Sequence, residues 1–142
     1  MTVLIKLYRF SQRYILLTRI LSVICCGVVV ALCLMPSSEL PDISFRFSDK
    51  LAHFGFYFGW SALLMSSLRR KSMPVAIVLV LILVAFSGGI ELMQQYMGYG
   101  RSASWGDLAA NSAGALVGTA LVKYVDWKSG RAGELQLSEK QP

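Results

Sequence analysis

Four long apolar stretches dominate the pattern of hydrophobic and polar positions along this chain. None of them contains an acidic residue, a lysine or an arginine, and they occupy residues 20–35, 51–68, 73–90 and 108–122. Each reaches about 20 residues once its polar shoulders are included, which is the length that a helix needs to cross a bilayer. The pattern therefore predicts an all-α fold, an integral membrane bundle of four transmembrane helices.

The composition agrees with a membrane location. Of the 142 residues, 55% are hydrophobic and only 15% are charged, whereas about 25% charge is usual in soluble domains. We expect a multi-pass protein of the inner or cytoplasmic membrane, with the lipid bilayer as its main partner. Its transmembrane domain would cover residues 14–125, between a basic cytoplasmic N-terminus (1–13) and a polar, frayed cytoplasmic tail (126–142).

The distribution of basic residues predicts the orientation of the bundle. With a cytoplasmic N-terminus, the outside would keep only Arg46, Lys50 and Arg101 of the fourteen basic residues, and the cytoplasmic side the other eleven. Because basic residues accumulate in cytoplasmic segments, this split predicts an N-in, C-in topology. Basic edges facing anionic lipid also account for the net charge of +6 without nucleic acid as a partner.

Six polar side chains fall near the same ends of the predicted helices. They form three pairs spaced three or four residues apart, Asp49 with His53, Glu91 with Gln94, and Asp107 with Asn111. At that spacing the two members of a pair share one face of a helix. Ionisable groups within a membrane segment are costly and usually face a bundle interior, so they indicate a functional site. The predicted topology places all six in the outer leaflet.

Glycines suggest how the helices pack around these polar pairs. Gly114 and Gly118 continue the stripe of Asp107 and Asn111, and small residues allow two helices to approach closely. We expect the last helix to pack closely beneath the polar cluster. Gly55 and Gly59 form a G-x-x-x-G pattern on the second predicted span, and they offer a second candidate packing face.

Three sequence blocks carry a family resemblance. The blocks DKLAHFGFYFGWSAL from Asp49, GIELMQQY from Gly89 and GRSASWGDLAANSAGALVG from Gly100 resemble the signatures of the VanZ-like family. These are small membrane proteins named after a teicoplanin-resistance protein. The resemblance spans residues 49–118, and nine positions fit its pattern: Asp49, Lys50, His53, Glu91, Gln94, Arg101, Ser104, Asp107 and Asn111. It implies a four-helix membrane protein and a link to glycopeptide resistance.

Two interpretations of the polar cluster involve no chemistry. In the first, a lipid headgroup or another lipid-linked or cell-wall ligand lies between the helices, with Trp60 and Trp105 as walls. The side chains that would bind it are Lys50, Gln94, Arg101, Ser104, Asp107 and Asn111. In the second, the polar groups pair with one another and fix the register of a scaffold or partner-binding protein.

A third interpretation is an enzyme that faces the outside. His53 would be the general acid or base, Asp49 or Glu91 would orient it, and Arg101 would stabilise developing negative charge. A metal variant would use His53, Asp49, Glu91 and Asp107 as ligands, although one histidine with carboxylates is a weak zinc pattern. Transport would require an oligomer. The residue pattern indicates neither a particular cofactor nor an oligomeric state.

Overall fold

The described part of the chain consists of helices and the segments that connect them. The computed structural model describes residues 2–35, 48–97 and 102–138, and these residues contain no strand. Five helices follow one another along them: α1 (Thr2–Arg13), α2 (Ile15–Leu34), α3 (Ser48–Ser67), α4 (Met73–Met97) and α5 (Trp105–Ser138). The predicted all-α fold is confirmed.

Three of these helices are long and apolar enough to cross a membrane. They are α2, α4 and the part of α5 from Trp105 to Gly130, which makes the protein a multi-pass membrane protein. Helix α3 has 20 residues but is less apolar, because Asp49, Lys50 and His53 occupy its first two turns. It contacts all four other described helices, so much of its surface faces protein rather than lipid. The predicted total of four spans therefore requires that α3 also crosses the membrane.

Helices α3 and α5 approach each other closely at two glycines of α5. A Cβ atom at Gly114 would overlap the backbone of Phe54, and one at Gly118 would overlap the carbonyl of Phe58 and the hydroxyl of Ser61. Only a residue without a side chain leaves room for the backbone of α3 at these positions. The expected close packing of the last helix beneath the polar residues is confirmed.

The second candidate packing face is wrong. A Cβ atom at Gly55 or Gly59 would meet nothing within 4 Å, so no described helix packs closely against these glycines. Helix α5 packs against the backbone of Phe54 and Phe58. Gly59 instead borders an open apolar groove of about 380 Å³.

Aromatic side chains mark two levels along α5. Trp105 is 86% exposed at its first turn, and Tyr124 and Trp127 are about half exposed near the other end, with the ammonium of Lys128 over both rings. From Trp105 to Tyr124 the helix rises about 30 Å at 1.5 Å per residue. This matches the hydrocarbon thickness of a bilayer, whose two interfaces are enriched in tryptophan and tyrosine.

Helix α1 packs across the end of the bundle opposite the polar cluster. The Tyr8 hydroxyl donates to Asp126 of α5, and the Gln12 amide donates to the Ser66 carbonyl of α3 at 2.7 Å. Burial, together with the neighbouring carboxylate of Asp126, raises the pKa of Tyr8, so the phenol keeps the proton that it donates. The segment predicted as a basic N-terminus is thus an ordered helix.

Helix α5 also extends beyond the predicted span. It continues through Ser138, so the expectation that the chain frays from Asp126 is wrong. The contacts with α1 give a physical reason, because Arg9 donates to Ser129 at 3.5 Å in addition to the bond between Tyr8 and Asp126. These bonds hold the first turn beyond the span.

The glycine contact predicts opposite effects for one substitution at two sites. Gly114→Ala should lower the stability of the folded protein by about 1–3 kcal/mol, the usual cost of overpacking, since backbone atoms cannot move aside easily. Gly55→Ala should be neutral or slightly stabilising, because its side chain enters open space and alanine is the better helix former. Unfolding of both variants in detergent measures the difference. Equal destabilisation would contradict the close approach.

Candidate functional site

The first turns of α3, the last turns of α4 and the first turns of α5 meet at one end of the bundle. The Lys50 ammonium lies 3.1 Å from Oδ1 of Asp107. Nδ1 of His53 lies 3.1 Å from Oδ1 of Asn111, and Nδ2 of Asn111 donates to Oγ of Ser87 at 2.8 Å. Side chains from three helices therefore form one connected polar site.

The hydrogen bonds of Asn111 fix the orientation of His53. Since the amide nitrogen of Asn111 donates to Ser87, its oxygen faces the imidazole, and Nδ1 of His53 must be the donor. The other ring nitrogen, Nε2, then points to two carboxylates, Oδ1 of Asp49 at 3.7 Å and Oδ2 of Asp107 at 3.9 Å. A cation placed beside Nε2 would suit this arrangement.

Burial falls steadily from the inner to the outer part of the site. Ser87 and Asn111 are fully buried, and the side chain of His53 is 10% exposed. The side chain of Lys50 is 47% exposed and that of Asp49 is 65% exposed. The site is therefore closed beneath the imidazole and open at the two charged residues that begin α3.

Glu91 and Ser104 hold the start of α5. Oγ of Ser104 accepts from the Asp107 amide at 3.3 Å, which is the usual bond of a helix N-cap. The Ser104 amide in turn donates to Oε2 of Glu91 at 2.8 Å. In a capping box this acceptor comes from the third residue of the same helix. Here Glu91 of α4 supplies it, which leaves the Asp107 carboxylate for Lys50 and His53.

The remaining predicted residues have other surroundings. Gln94 is buried and donates to the Cys33 carbonyl at 2.6 Å, so it joins α4 to the last turn of α2. Trp60 is buried in the core against Phe86, so it does not line the open part of the polar site, and Trp105 is exposed at the first turn of α5. Arg101, with its expected pairing to Glu91 or Asp107, lies outside the described residues; Lys50 is the cation that contacts Asp107.

Comparison with known proteins assigns the chain to a family. The family model described as VanZ/LLP1 matches residues 5–126. The chain belongs to the VanZ/LLP1 family. The match includes every residue of the polar site, from Asp49 to Asn111. No curated protein and no solved structure matches the chain.

The chemistry available to this VanZ-like site depends on how its side chains are already engaged. The Ser104 hydroxyl serves as a helix cap and the Ser87 hydroxyl accepts from Asn111, so neither is paired with a base as a nucleophile would be. Asp49, His53 and Asp107 each offer a ligand atom, and the three atoms lie within 4.8 Å of one another. These three residues could hold a metal ion.

Ser87 belongs to the polar site but is not among the catalytic or ligand-binding residues predicted from the sequence. It is the buried end of the chain from His53 through Asn111. The signal was present, because Ser87 lies one turn before Glu91 on the same stripe of α4. A serine in an apolar helix is common, however, and its hydroxyl often bonds only to its own helix.

Removal of the Ser87 hydroxyl should destabilise the protein. In Ser87→Ala the buried amide of Asn111 loses its acceptor, at a cost of about 1–3 kcal/mol. Ser112→Ala is the matched control, because the Ser112 hydroxyl donates to the Leu108 carbonyl of its own helix. Thermal unfolding in detergent should separate the two variants. A stability of Ser87→Ala equal to that of Ser112→Ala would show that the Asn111 link contributes little.

Proposed function

We propose that this VanZ-like membrane protein binds a phosphate-bearing headgroup of an envelope lipid or lipid-linked cell-wall precursor in the polar site. The exposure gradient carries the proposal. Asp49 and Lys50 are open at the mouth, while His53 beneath them is held by a buried hydrogen bond. A network that served only to fix helix register would be covered and paired throughout. A preorganised polar floor beneath exposed charges is typical of a binding site.

The depth of the site supports a lipid as the ligand. Tyr96 is 96% exposed and Trp105 is 86% exposed at the same end of the bundle, and such aromatic residues lie at the level of the headgroups. Leu51 and Leu92, next to the polar residues in sequence, are also largely exposed. A molecule with a polar headgroup and apolar chains meets both kinds of surface there.

The proposal includes the orientation of the protein. A bundle of four spans, with α3 as the second span, has both termini in the cytoplasm and the polar site outside. The distribution of basic residues supports this orientation. The link to glycopeptide resistance belongs to the same proposal, because a lipid-linked cell-wall precursor is one ligand with a suitable headgroup.

Reporter fusions test the orientation. A reporter fused after Arg70 and one fused at the C-terminus should both report the cytoplasm, because the two positions are flanked by most of the basic residues. A reporter inserted after Gly100 should report the outside. An outside signal at either of the first two positions would contradict the four-span, N-in, C-in arrangement.

Lipid retention tests the binding proposal. Lys50→Gln should weaken the binding of anionic phospholipid by about tenfold or more, because it removes the ammonium that would donate a charge-assisted hydrogen bond to the phosphate. Native mass spectrometry of the detergent-purified protein, titrated with phosphatidylglycerol, measures the affinity. Lys128→Gln is the control, because that ammonium lies over Tyr124 and Trp127 at the opposite end. Equal affinities of the two variants would refute a headgroup site at Lys50.

A further inference from the structure

We propose that Asp49, His53 and Asp107 bind a divalent transition-metal ion of the zinc type, and that this ion holds the headgroup phosphate. The metal site stands on the geometry of the three side chains. Its role toward a headgroup rests on the function proposed above. The ion would lie at the mouth of the site, between the start of α3 and the start of α5.

The tautomer of His53 is the first argument. Its Nδ1 donates to Asn111, so Nε2 of the neutral ring carries a lone pair. That lone pair faces the carboxylates of Asp49 and Asp107. Three acceptors therefore converge, and within the described part of the chain no donor lies between them. A histidine that ligates a metal typically donates its other ring N–H to a fixed acceptor, which sets the orientation of the ring. Asn111 serves as that acceptor, and Ser87 holds Asn111 in turn.

The distances are the second argument. Zinc lies about 2.0–2.2 Å from nitrogen and oxygen ligands, so two ligands of one ion are at most about 4.4 Å apart. Nε2 of His53 is 3.7 Å from Asp49 and 3.9 Å from Asp107, within that limit. All three ligand atoms lie within 4.8 Å of one another. To hold one ion, the three ligand atoms must come slightly closer together. Rotation of the exposed Asp49 side chain allows this.

Lys50 is compatible with the ion because the two use different oxygens of Asp107. The ammonium contacts Oδ1, and Oδ2 is the oxygen that faces His53. A carboxylate can then bind the ion through one oxygen while a hydrogen bond orients it through the other. Such bonds to ligating carboxylates are part of the outer shell of metal sites.

Charge is the third argument. Among the described residues, Asp49, Glu91 and Asp107 place three carboxylates around the site against the single ammonium of Lys50. This balance leaves the described part of the site with an excess of negative charge, which a bound cation would offset. The two positive charges of a divalent ion and the one of Lys50 balance the three negative charges. An ion with three protein ligands also keeps at least one coordination position open for another ligand. The exposed side of the site at Asp49 is where a phosphate oxygen would reach it.

The ligand types select the class of metal. An imidazole nitrogen with carboxylates suits zinc, iron or manganese, whereas calcium and magnesium prefer oxygen ligands alone. Zinc is the probe for the test, because it has one oxidation state and its affinity can be measured by competition with a coloured chelator.

The test uses the full chain, purified in detergent through an affinity tag without histidines. After removal of metal with a chelator, zinc is titrated back and the bound metal is measured by mass spectrometry. We expect about one zinc per chain for the natural sequence and for Asp126→Asn, a control carboxylate at the opposite end. Asp49→Asn should bind zinc at least about tenfold more weakly, and His53→Gln should bind it more weakly still. Asp49 is the decisive position, since its exposed side chain contributes little to folding.

Each outcome decides the proposal. Less than about one tenth of a zinc per chain, or equal zinc affinity in Asp49→Asn and Asp126→Asn, would overturn the metal site. Both measurements are made without added lipid, so they do not depend on headgroup binding. If zinc binds as expected but its removal leaves phosphatidylglycerol affinity unchanged, the ion is not the phosphate ligand and the second half of the proposal fails. If zinc binds and phosphatidylglycerol does not, the metal site stands and the proposed function fails.

Discussion

The close approach of α3 and α5 is the constraint on which the polar site depends. Helices in lipid gain little from the hydrophobic effect when they associate, so contact between them relies on packing and on small residues. Gly114 and Gly118 let the backbone of α3 lie directly against α5. His53 immediately precedes Phe54, and Asn111 lies one turn before Gly114. The contact between Gly114 and the backbone of Phe54 thus brings Nδ1 of His53 within 3.1 Å of Oδ1 of Asn111.

Buried polar groups then join the remaining helices to this pair. Asn111 accepts from His53 of α3 and donates to Ser87 of α4, so a single amide of α5 connects three helices. Each of these bonds also removes the cost of an unpaired polar group in an apolar surrounding. On the inner side of His53, Nδ1 donates to Asn111, and Asn111 donates to Ser87. On its outer side, Nε2 lies 3.7 Å from Asp49 and 3.9 Å from Asp107, so the described groups that face it are carboxylates.

The sequence predicts the polar site because helical periodicity and helix order are strong constraints. Residues spaced three or four apart share a face, and alternating spans bring the start of α3, the end of α4 and the start of α5 to one end. The same reasoning does not say which face of a helix has a neighbour. Gly55 and Gly59 have the spacing of a contact, and yet a Cβ atom at either would meet nothing within 4 Å, whereas α5 packs against the backbone of Phe54 and Phe58. The pattern also does not predict helix α1, because its partners Asp126 and Ser66 are distant in sequence.

The motif E-x-x-Q at the end of α4 shows why residues outside the immediate surroundings of His53 still determine the site. Glu91 accepts from the backbone amide of Ser104 and Gln94 donates to the backbone carbonyl of Cys33, so each side chain fixes the end of a neighbouring helix. The consequence is greatest for Asp107. It stands three residues after the N-cap, where its own carboxylate could cap the Ser104 amide. Because Glu91 already does so, the Asp107 carboxylate stays free to meet Lys50 and His53, at a helix N-terminus that favours its negative charge.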